Sequence, residues 1–517
     1  MKKLTYLALA AIAALSSCQN YDIEQTTSDN NNVKLNAPTL TAGFEEDAAT
    51  RTTLTDDNRT AWTDGDEVCV AMTTHGSTYG YYLGTYKATP YTSDVTTASL
   101  SPSGDAVYDN VTGDAELITA IYPETISVTH ITSFMDMLDS YKDSYSANIF
   151  ASFIQSCAQM VNLQSNLVTT NGETNAPMFG QSTDPDNVTF KNLCGLLAIK
   201  IPQTEMSVVK SIELYADTTI AGLGEVTIDG INNPVLKMSP DNVAQSAGVT
   251  QSKKITLDCQ NATIPADGMT FYIPLPPNTY NSFIIVATDK DDVDHIMATK
   301  AGAEIQIERS KLYTLNLNTR GKTAGLARAT IDGVETFVNW VQLWEGGPKW
   351  ATMNVGATTT TGYGGYYCWG STIDKDSNGA YNAGYSNISG TDFDTARNLW
   401  GSKWKMPNKT HFTNLLSTDY TDGGTWVTDY NGEGINGLLV KGKADTDYAS
   451  NEVFFPAAGI YARGSLGGIG MGCYYWSSTP YIASKACAYQ MFFGEIYQEI
   501  DYQYKKSGLS VRAILAK

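Results

Sequence analysis

Short runs in which apolar and polar residues alternate follow one another from Val33 onward, and Gly, Asp or Asn separates each from the next. Glu67-Val68-Cys69-Val70-Ala71-Met72, Leu196-Leu197-Ala198-Ile199-Lys200-Ile201 and Phe283-Ile284-Ile285-Val286-Ala287 are examples. Runs this short suit strands and leave little room for long helices. The turn signals recur at intervals typical of β-sandwiches. The 31 Tyr and 44 Gly agree, because aromatic rings pack well on a pleated surface and Gly serves the turns. One stretch departs from the pattern. Residues 133–163 carry Met135, Met137, Leu138, Tyr141, Ile149, Phe150, Phe153, Ile154 and Met160, and read as one or two short helices inserted over a sheet edge.

At 517 residues the chain exceeds what one core holds, so about two to four domains are expected. Its charge is uneven. Residues 1–320 hold 18 Lys and Arg against 37 Asp and Glu, whereas residues 321–517 hold 16 against 17. Eight of the nine Trp also follow residue 330. The double shift puts a boundary near 320, with a linker over 321–330 and a separate domain over 331–517. The acidic first part argues against nucleic acid and anionic membrane as its partners, since both demand Lys/Arg surfaces.

The first eighteen residues form a distinct segment. Met1-Lys2-Lys3 is basic, an apolar stretch runs from Leu4 to Leu15, and Leu15-Ser16-Ser17-Cys18 closes it. The apolar stretch is too short for a permanent transmembrane helix, but it has the parts of a secretory signal. Leu-Ser-Ser-Cys resembles a bacterial lipobox. The resemblance implies a signal peptide over 1–17, lipidation (a palmitate-type anchor) at Cys18, and a surface-exposed lipoprotein of the outer membrane. Residues 18–36 are polar and read as a flexible tether. The remaining cysteines are Cys69, Cys157, Cys194, Cys259, Cys368, Cys473 and Cys487; no C-x-x-C occurs, and an odd number argues against a disulfide framework. Cys473 and Cys487 are the pair an oxidising envelope would join; buried free thiols are the alternative.

Further along, Thr50-Arg51-Thr52 precedes Ala61-Trp62-Thr63-Asp64-Gly65-Asp66-Glu67-Val68. Then come Phe190-Lys191-Asn192-Leu193-Cys194-Gly195-Leu196-Leu197 and Ser211-Ile212-Glu213-Leu214. Phe271-Tyr272-Ile273-Pro274-Leu275-Pro276-Pro277-Asn278-Thr279-Tyr280 and Ile307-Glu308-Arg309-Ser310-Lys311-Leu312-Tyr313 complete the series. In order and spacing, residues 36–318 resemble the fimbrillin-like lipoproteins of Bacteroidetes. The resemblance implies two transthyretin-like β-sandwiches, over 37–172 and 173–320. The Trp62 run also has a plain reading, a tight turn at Asp64-Gly65 leading into a strand.

After residue 330 other motifs take over. They are Lys349-Trp350-Ala351-Thr352-Met353-Asn354-Val355-Gly356-Ala357, Gly364-Gly365-Tyr366-Tyr367-Cys368-Trp369-Gly370, Asp394-Thr395-Ala396-Arg397, and Trp400-Gly401-Ser402-Lys403-Trp404-Lys405-Met406-Pro407-Asn408. Phe454-Phe455-Pro456-Ala457-Ala458-Gly459, Tyr475-Trp476-Ser477-Ser478-Thr479 and Gly508-Leu509-Ser510-Val511-Arg512 follow. Residues 331–517 resemble the Fibrobacter succinogenes major paralogous domain, a C-type-lectin-like α+β fold. Residues 394–400 and 409–416 would be its short helices, the second capped by Asn408.

Catalytic chemistry finds little support. The four His (His75, His130, His295 and His411) lie at no metal or triad spacing, and H-E-x-x-H, G-x-S-x-G and the P-loop are absent. The chain reads as a non-enzyme with no cofactor. The best metal candidate is Asp374-Lys375-Asp376-Ser377-Asn378-Gly379, where Asp374, Asp376 and Asn378 supply oxygens in the manner of a calcium loop. Position twelve is Tyr385 in place of the usual glutamate, so the site is incomplete and a solvated loop is the rival. The sugar-binding loops of C-type lectins are missing. Trp350, Trp369, Trp400, Trp404, Trp476, Tyr366 and Tyr475 fall inside the motifs and read as core, which leaves loops 371–391, 419–436 and 462–472 for a ligand. Asp217-Thr218-Thr219 and Asp394-Thr395-Ala396 resemble short O-glycosylation signals.

The fimbrillin resemblance implies assembly by β-strand addition. A protease cuts after an arginine behind the first strand, that strand leaves, and a neighbouring pilin subunit's strand fills the groove. The first strand is expected over 33–44, and of the arginines behind it, Arg51 and Arg59, Arg51 is the expected cut. A folded C-terminal domain would let the chain accept a strand but not donate one. The expectation is therefore a tip or accessory pilin of a fimbrium, serving cell adhesion through its lectin-like end to an unknown glycan or protein ligand. The alternative is a stand-alone surface lipoprotein that binds glycan or host protein without polymerising.

Overall fold

The computed structural model describes residues 37–45, 53–54, 60–75, 79–109, 115–127, 154–169, 174–229, 233–300, 302, 304–376 and 386–516. The chain is mainly β and divides into two compact units, one ending at Asn318 and one beginning at Thr319.

In the first unit, seven strands hydrogen-bond into a closed ring. Its order is Leu40–Phe44, Val188–Asn192, Met178–Ser182, Ala115–Tyr122, Glu67–His75, Tyr79–Tyr91, Asp94–Asp109, and back to Leu40–Phe44. Val68, Val70 and Met72 point into its core with Trp62, Tyr82, Tyr86 and Phe190. Their neighbours Cys69 and Ala71 point outward yet are also buried, because Met160, Leu223 and Ala244 cover that face. The covering sheet is Asn233–Met238, Gly222–Asp229 and Met160–Leu163. Burial on both faces is why the run from Val68 to Met72 is nearly all apolar.

A second pair of sheets lies beyond the ring. Met269–Leu275, Gly195–Ile201 and Leu312–Asn316 make one; Asp294–Ala298, Phe283–Asp289, Val208–Ala216, Lys254–Thr263 and Asn166–Val168 make the other. Leu197, Ile199, Phe271 and Ile273 from the first meet Ile212, Leu214, Leu257 and Ile285 from the second in one core.

These pairings differ from the expectation of a break at 172/173. Met178–Ser182 and Val188–Asn192 belong to the ring that begins at Leu40. Met160–Leu163 and Asn166–Val168 pair instead with strands beyond residue 220. The chain crosses between the two sheet systems more than once, through long-range pairings that no local pattern announces. Within the stretch expected to be helical, Ile154 to Cys157 are helix and Met160 to Leu163 are strand; its residues 133–153 lie outside the described residues.

The second unit is built on the antiparallel order Ala324–Ile331, Val334–Gln342, Lys349–Ala351, Ile514–Leu515 and Trp404–Lys405. The expected linker over 321–330 is therefore largely its first strand. Asp332 and Gly333 turn it back at φ 51° and 79°, the left-handed pair that a two-residue hairpin requires. Two three-stranded sheets join it: Thr425–Val427, Gly437–Lys441 and Glu452–Pro456; and Gly472–Pro480, Cys487–Gly494 and Gln498–Tyr504; Ile460–Ala462 and Ser465–Gly467 form a small two-stranded sheet. The helices are Thr395–Trp400 and Lys409–Leu415. Asp394 caps the first, and Asn408 with His411 forms a capping box on the second. Trp350, Trp369, Trp400, Trp404, Trp476 and Tyr475 are all buried. The indoles of Trp369, Trp404 and Trp476 donate to the carbonyls of Ser477, Arg328 and Tyr367 at 2.7–2.8 Å, the usual arrangement for a buried indole; the buried Trp350 indole has no such acceptor.

Candidate functional site

The Leu40–Phe44 strand closes the ring, with a partner on each side. It runs antiparallel to Asp94–Asp109, with Leu40 opposite Leu100 and Ala42 opposite Ala98. On its other edge it runs parallel to Val188–Asn192, with Ala42 opposite Val188 and Phe44 opposite Phe190. Leu40 and Ala42 are fully buried in the ring's core. Phe44 stacks on Trp62 at 4.7 Å, and Trp62 meets Tyr122 and Phe190 edge-on. Within Leu40–Phe44 the fit to the ring is made by alternate side chains and backbone bonds, so another strand with small and apolar residues at these positions meets the same slot.

The strand ends on a polar latch that the sequence did not disclose. The Glu45 N–H donates to Phe190 O at 3.0 Å. Its carboxylate accepts from the Asn192 N–H at 3.2 Å, from the Ser310 hydroxyl at 2.9 Å, and from the Arg309 guanidinium. Glu45 and Arg309 are both largely buried. Arg309-Ser310 stood in a motif, but only the fold brings it to Glu45, 264 residues away. Arg51 and Cys18 lie outside the described residues. On resumption, Thr53–Leu54 pairs with Thr60–Ala61 as a small separate sheet.

In the second unit the Asp374 carboxylate accepts from the Tyr366 N–H at 2.7 Å and pairs with the Lys375 ammonium at 3.0 Å. Its oxygens are used in holding the turn. Asp376 is described; Asn378 is not, and among the described residues no cluster of three metal-ligating side chains occurs. Asp394-Thr395 is inaccessible to a glycosyltransferase: Asp394 is buried as a helix cap, and the buried Thr395 hydroxyl donates to Ser371 O. All seven described cysteines are free and buried, so Cys473 and Cys487 form no disulfide. They are not opposite each other: Cys473 faces Phe493 and Cys487 faces Tyr504. Burial pushes the Cys473 thiol up to about 12 and Cys368 to about 11, so neither is poised as a thiolate. Of the expected ligand loops, 371–391 is described except for 377–385. In loop 462–472 Leu466, Ile469 and Met471 stand exposed.

No protein-family model and no curated protein matches the chain. Among solved structures it is similar to a candidate cell adhesion protein from Bacteroides ovatus, at 13% identity, covering 54% of this chain and 91% of that one, with a TM-score of 0.32. It is similar to a fimbrial protein from Bacteroides ovatus, at 10% identity over 93% and 99%, TM-score 0.24. A fimbrial assembly protein from Parabacteroides distasonis follows, at 10% identity over 59% and 96%, TM-score 0.25. Likenesses this weak decide neither fold nor function for this chain.

Proposed function

We propose that the chain is a cell-surface fimbrial subunit that accepts a partner's strand, and that it sits at a fibre end as a tip or accessory pilin with the C-terminal unit as its lectin-like adhesive head. The observation that carries the reading is the position of Leu40–Phe44, the first described strand, bonded on both edges within a closed ring. Losing it bares two strand edges and the places of Leu40, Ala42 and Phe44. An incoming strand then gains backbone bonds on both sides, and its side chains fix the register. Cleavage after Arg51 severs this strand and starts the mature chain beside the Thr53–Leu54 strand. The last strand, Ile514–Leu515, pairs with both Lys349–Ala351 and Trp404–Lys405, so it is not free to leave as a donor. Lipid on Cys18 holds the precursor at the outer membrane, and the C-terminal loops meet the glycan or protein ligand.

Two variants test the reading. Arg51→Ala leaves an uncleaved precursor that joins no fibre, while N-terminal sequencing of the wild type reads from Thr52; a mature start elsewhere overturns the site. Cys18→Ala releases the precursor from the membrane fraction, and unchanged fractionation overturns the anchor.

A further inference from the structure

The sheet of Gly472–Pro480, Cys487–Gly494 and Gln498–Tyr504 has one covered edge and one open edge. Gly472–Pro480 is met on its outer side by Ser510, whose carbonyl accepts from the Trp476 N–H. Gln498–Tyr504 is the opposite edge.

The hydrogen-bond phase of that edge can be read from its ends. Gly494 N donates to Tyr497 O, and Lys505 N donates to Ala486 O, both across the same antiparallel pair. In such a pair residues alternate between bonding inward and bonding outward. Glu499, Asp501 and Gln503 therefore bond to Cys487–Gly494, and the N–H and C=O groups of Gln498, Ile500 and Tyr502 point away from the sheet. Among the described residues, none bonds these outward groups. Tyr504 ends the open stretch: its N–H is met by the Gln503 side chain and its carbonyl by Ser507.

An open edge invites pairing unless Lys, Pro or a bulge blunts it. Here no Pro or bulge interrupts the strand, and its lysines, Lys505 and Lys506, come only after its end. Its surroundings are apolar: Ile496 is 97% exposed, Ile482 75% and Tyr504 65%. Charge then selects the partner. Glu499 and Asp501 share one face of the strand, and neither has a cationic partner among the described residues. Tyr497 donates to Glu499 and adds no positive charge. A second copy of the same edge, paired antiparallel about Ile500, sets Glu499 against Asp501, which is destabilising.

We propose that the Gln498–Tyr504 edge is a docking site for an extended segment of a partner protein in which basic and apolar residues alternate, added as a fourth strand. The basic residues lie beside Glu499 and Asp501, and the apolar ones lie beside Ile500 and Tyr502 on the other face. The inference uses the C-terminal unit alone and is independent of the strand-exchange reading.

The test uses the full chain and a fluorescent nine-residue peptide alternating Lys and Val, followed by anisotropy. Saturable binding is expected, weaker by about tenfold or more for a peptide with the same residues in blocks, and for one with Glu in place of Lys. Ile500→Pro removes an outward N–H without touching the native ladder, since Pro is tolerated where the N–H faces solvent. Because Ile500 also packs against the buried cluster that holds Met491 and Phe493, the variant melts earlier, and in the folded chain it abolishes binding. Glu499→Lys with Asp501→Lys reverses the preference toward the Glu peptide, and this pair carries the test if the proline variant fails to fold. No saturable binding, equal binding of the block peptide, binding that survives Ile500→Pro in a folded chain, or an unreversed preference in the double variant overturns the proposal.

Discussion

Arg512 is fully buried, and the three nitrogens of its guanidinium reach two segments distant in sequence. Nε donates to Asn354 Oδ1 at 2.9 Å, Nη1 to Ala351 O at 3.0 Å and Nη2 to Phe454 O at 2.7 Å, and the group lies over the Phe455 ring at 4.8 Å. Burial lowers its pKa, but an arginine stays charged. It ties the Lys349–Ala351 and Glu452–Pro456 strands of different sheets to one point. Arg512→Ala leaves those acceptors unmet around a cavity and is expected to cost on the order of 3–5 kcal/mol. Arg512→Lys recovers only part, because an ammonium lacks the planar fork. Eight of the nine Trp lie after residue 330, so Trp fluorescence in urea isolates this unit's transition; an unmoved midpoint contradicts the role. Arg512 was visible as a motif member, but its role was not. Its acceptors are mainly backbone carbonyls on distant strands, and a sequence carries no mark of them. The same holds for Glu45 and Arg309. The aromatic motif residues were legible as core because large rings bury much apolar area and carry at most one polar atom.

Among the elements, Leu40–Phe44 differs from the other ring strands in lying just before the segment expected to be cut. Trypsin cleavage at Arg51 in the folded chain is expected to leave this strand seated without a covalent link, held by its two ladders, its buried side chains and the Glu45 latch. Native mass spectrometry then finds the peptide still bound, and a synthetic competitor strand displaces it. Leu40→Ala removes about 2–4 kcal/mol of that hold and releases the peptide without a competitor; a peptide that leaves the wild type at once contradicts the seating. Strand positions were legible where alternation was clean, as in Leu196 to Ile201. The expected linker went unrecognised as a strand because Ala324-Gly325-Leu326-Ala327 is small-residue rich, although Asp332-Gly333 behind it is a hairpin signal. The order of strands was not legible: the parallel pairing of Leu40–Phe44 with Val188–Asn192 spans well over a hundred residues, and local patterning holds no record of such distance.

For the whole molecule, the open questions of polarity and position reduce to which ends can exchange. In the proposed assembly the first described strand is the one released, and the Ile514–Leu515 strand is held between two others. On the proposed reading such a chain accepts a strand and does not donate one, and so ends a fibre. The most direct measurement is immunogold labelling of fibres with antibody against residues 319–517. At most one cluster of gold per fibre, at one end, is expected. Gold along the whole shaft would contradict it, and unlabelled fibres beside labelled cell surfaces would show a lipoprotein that never polymerises.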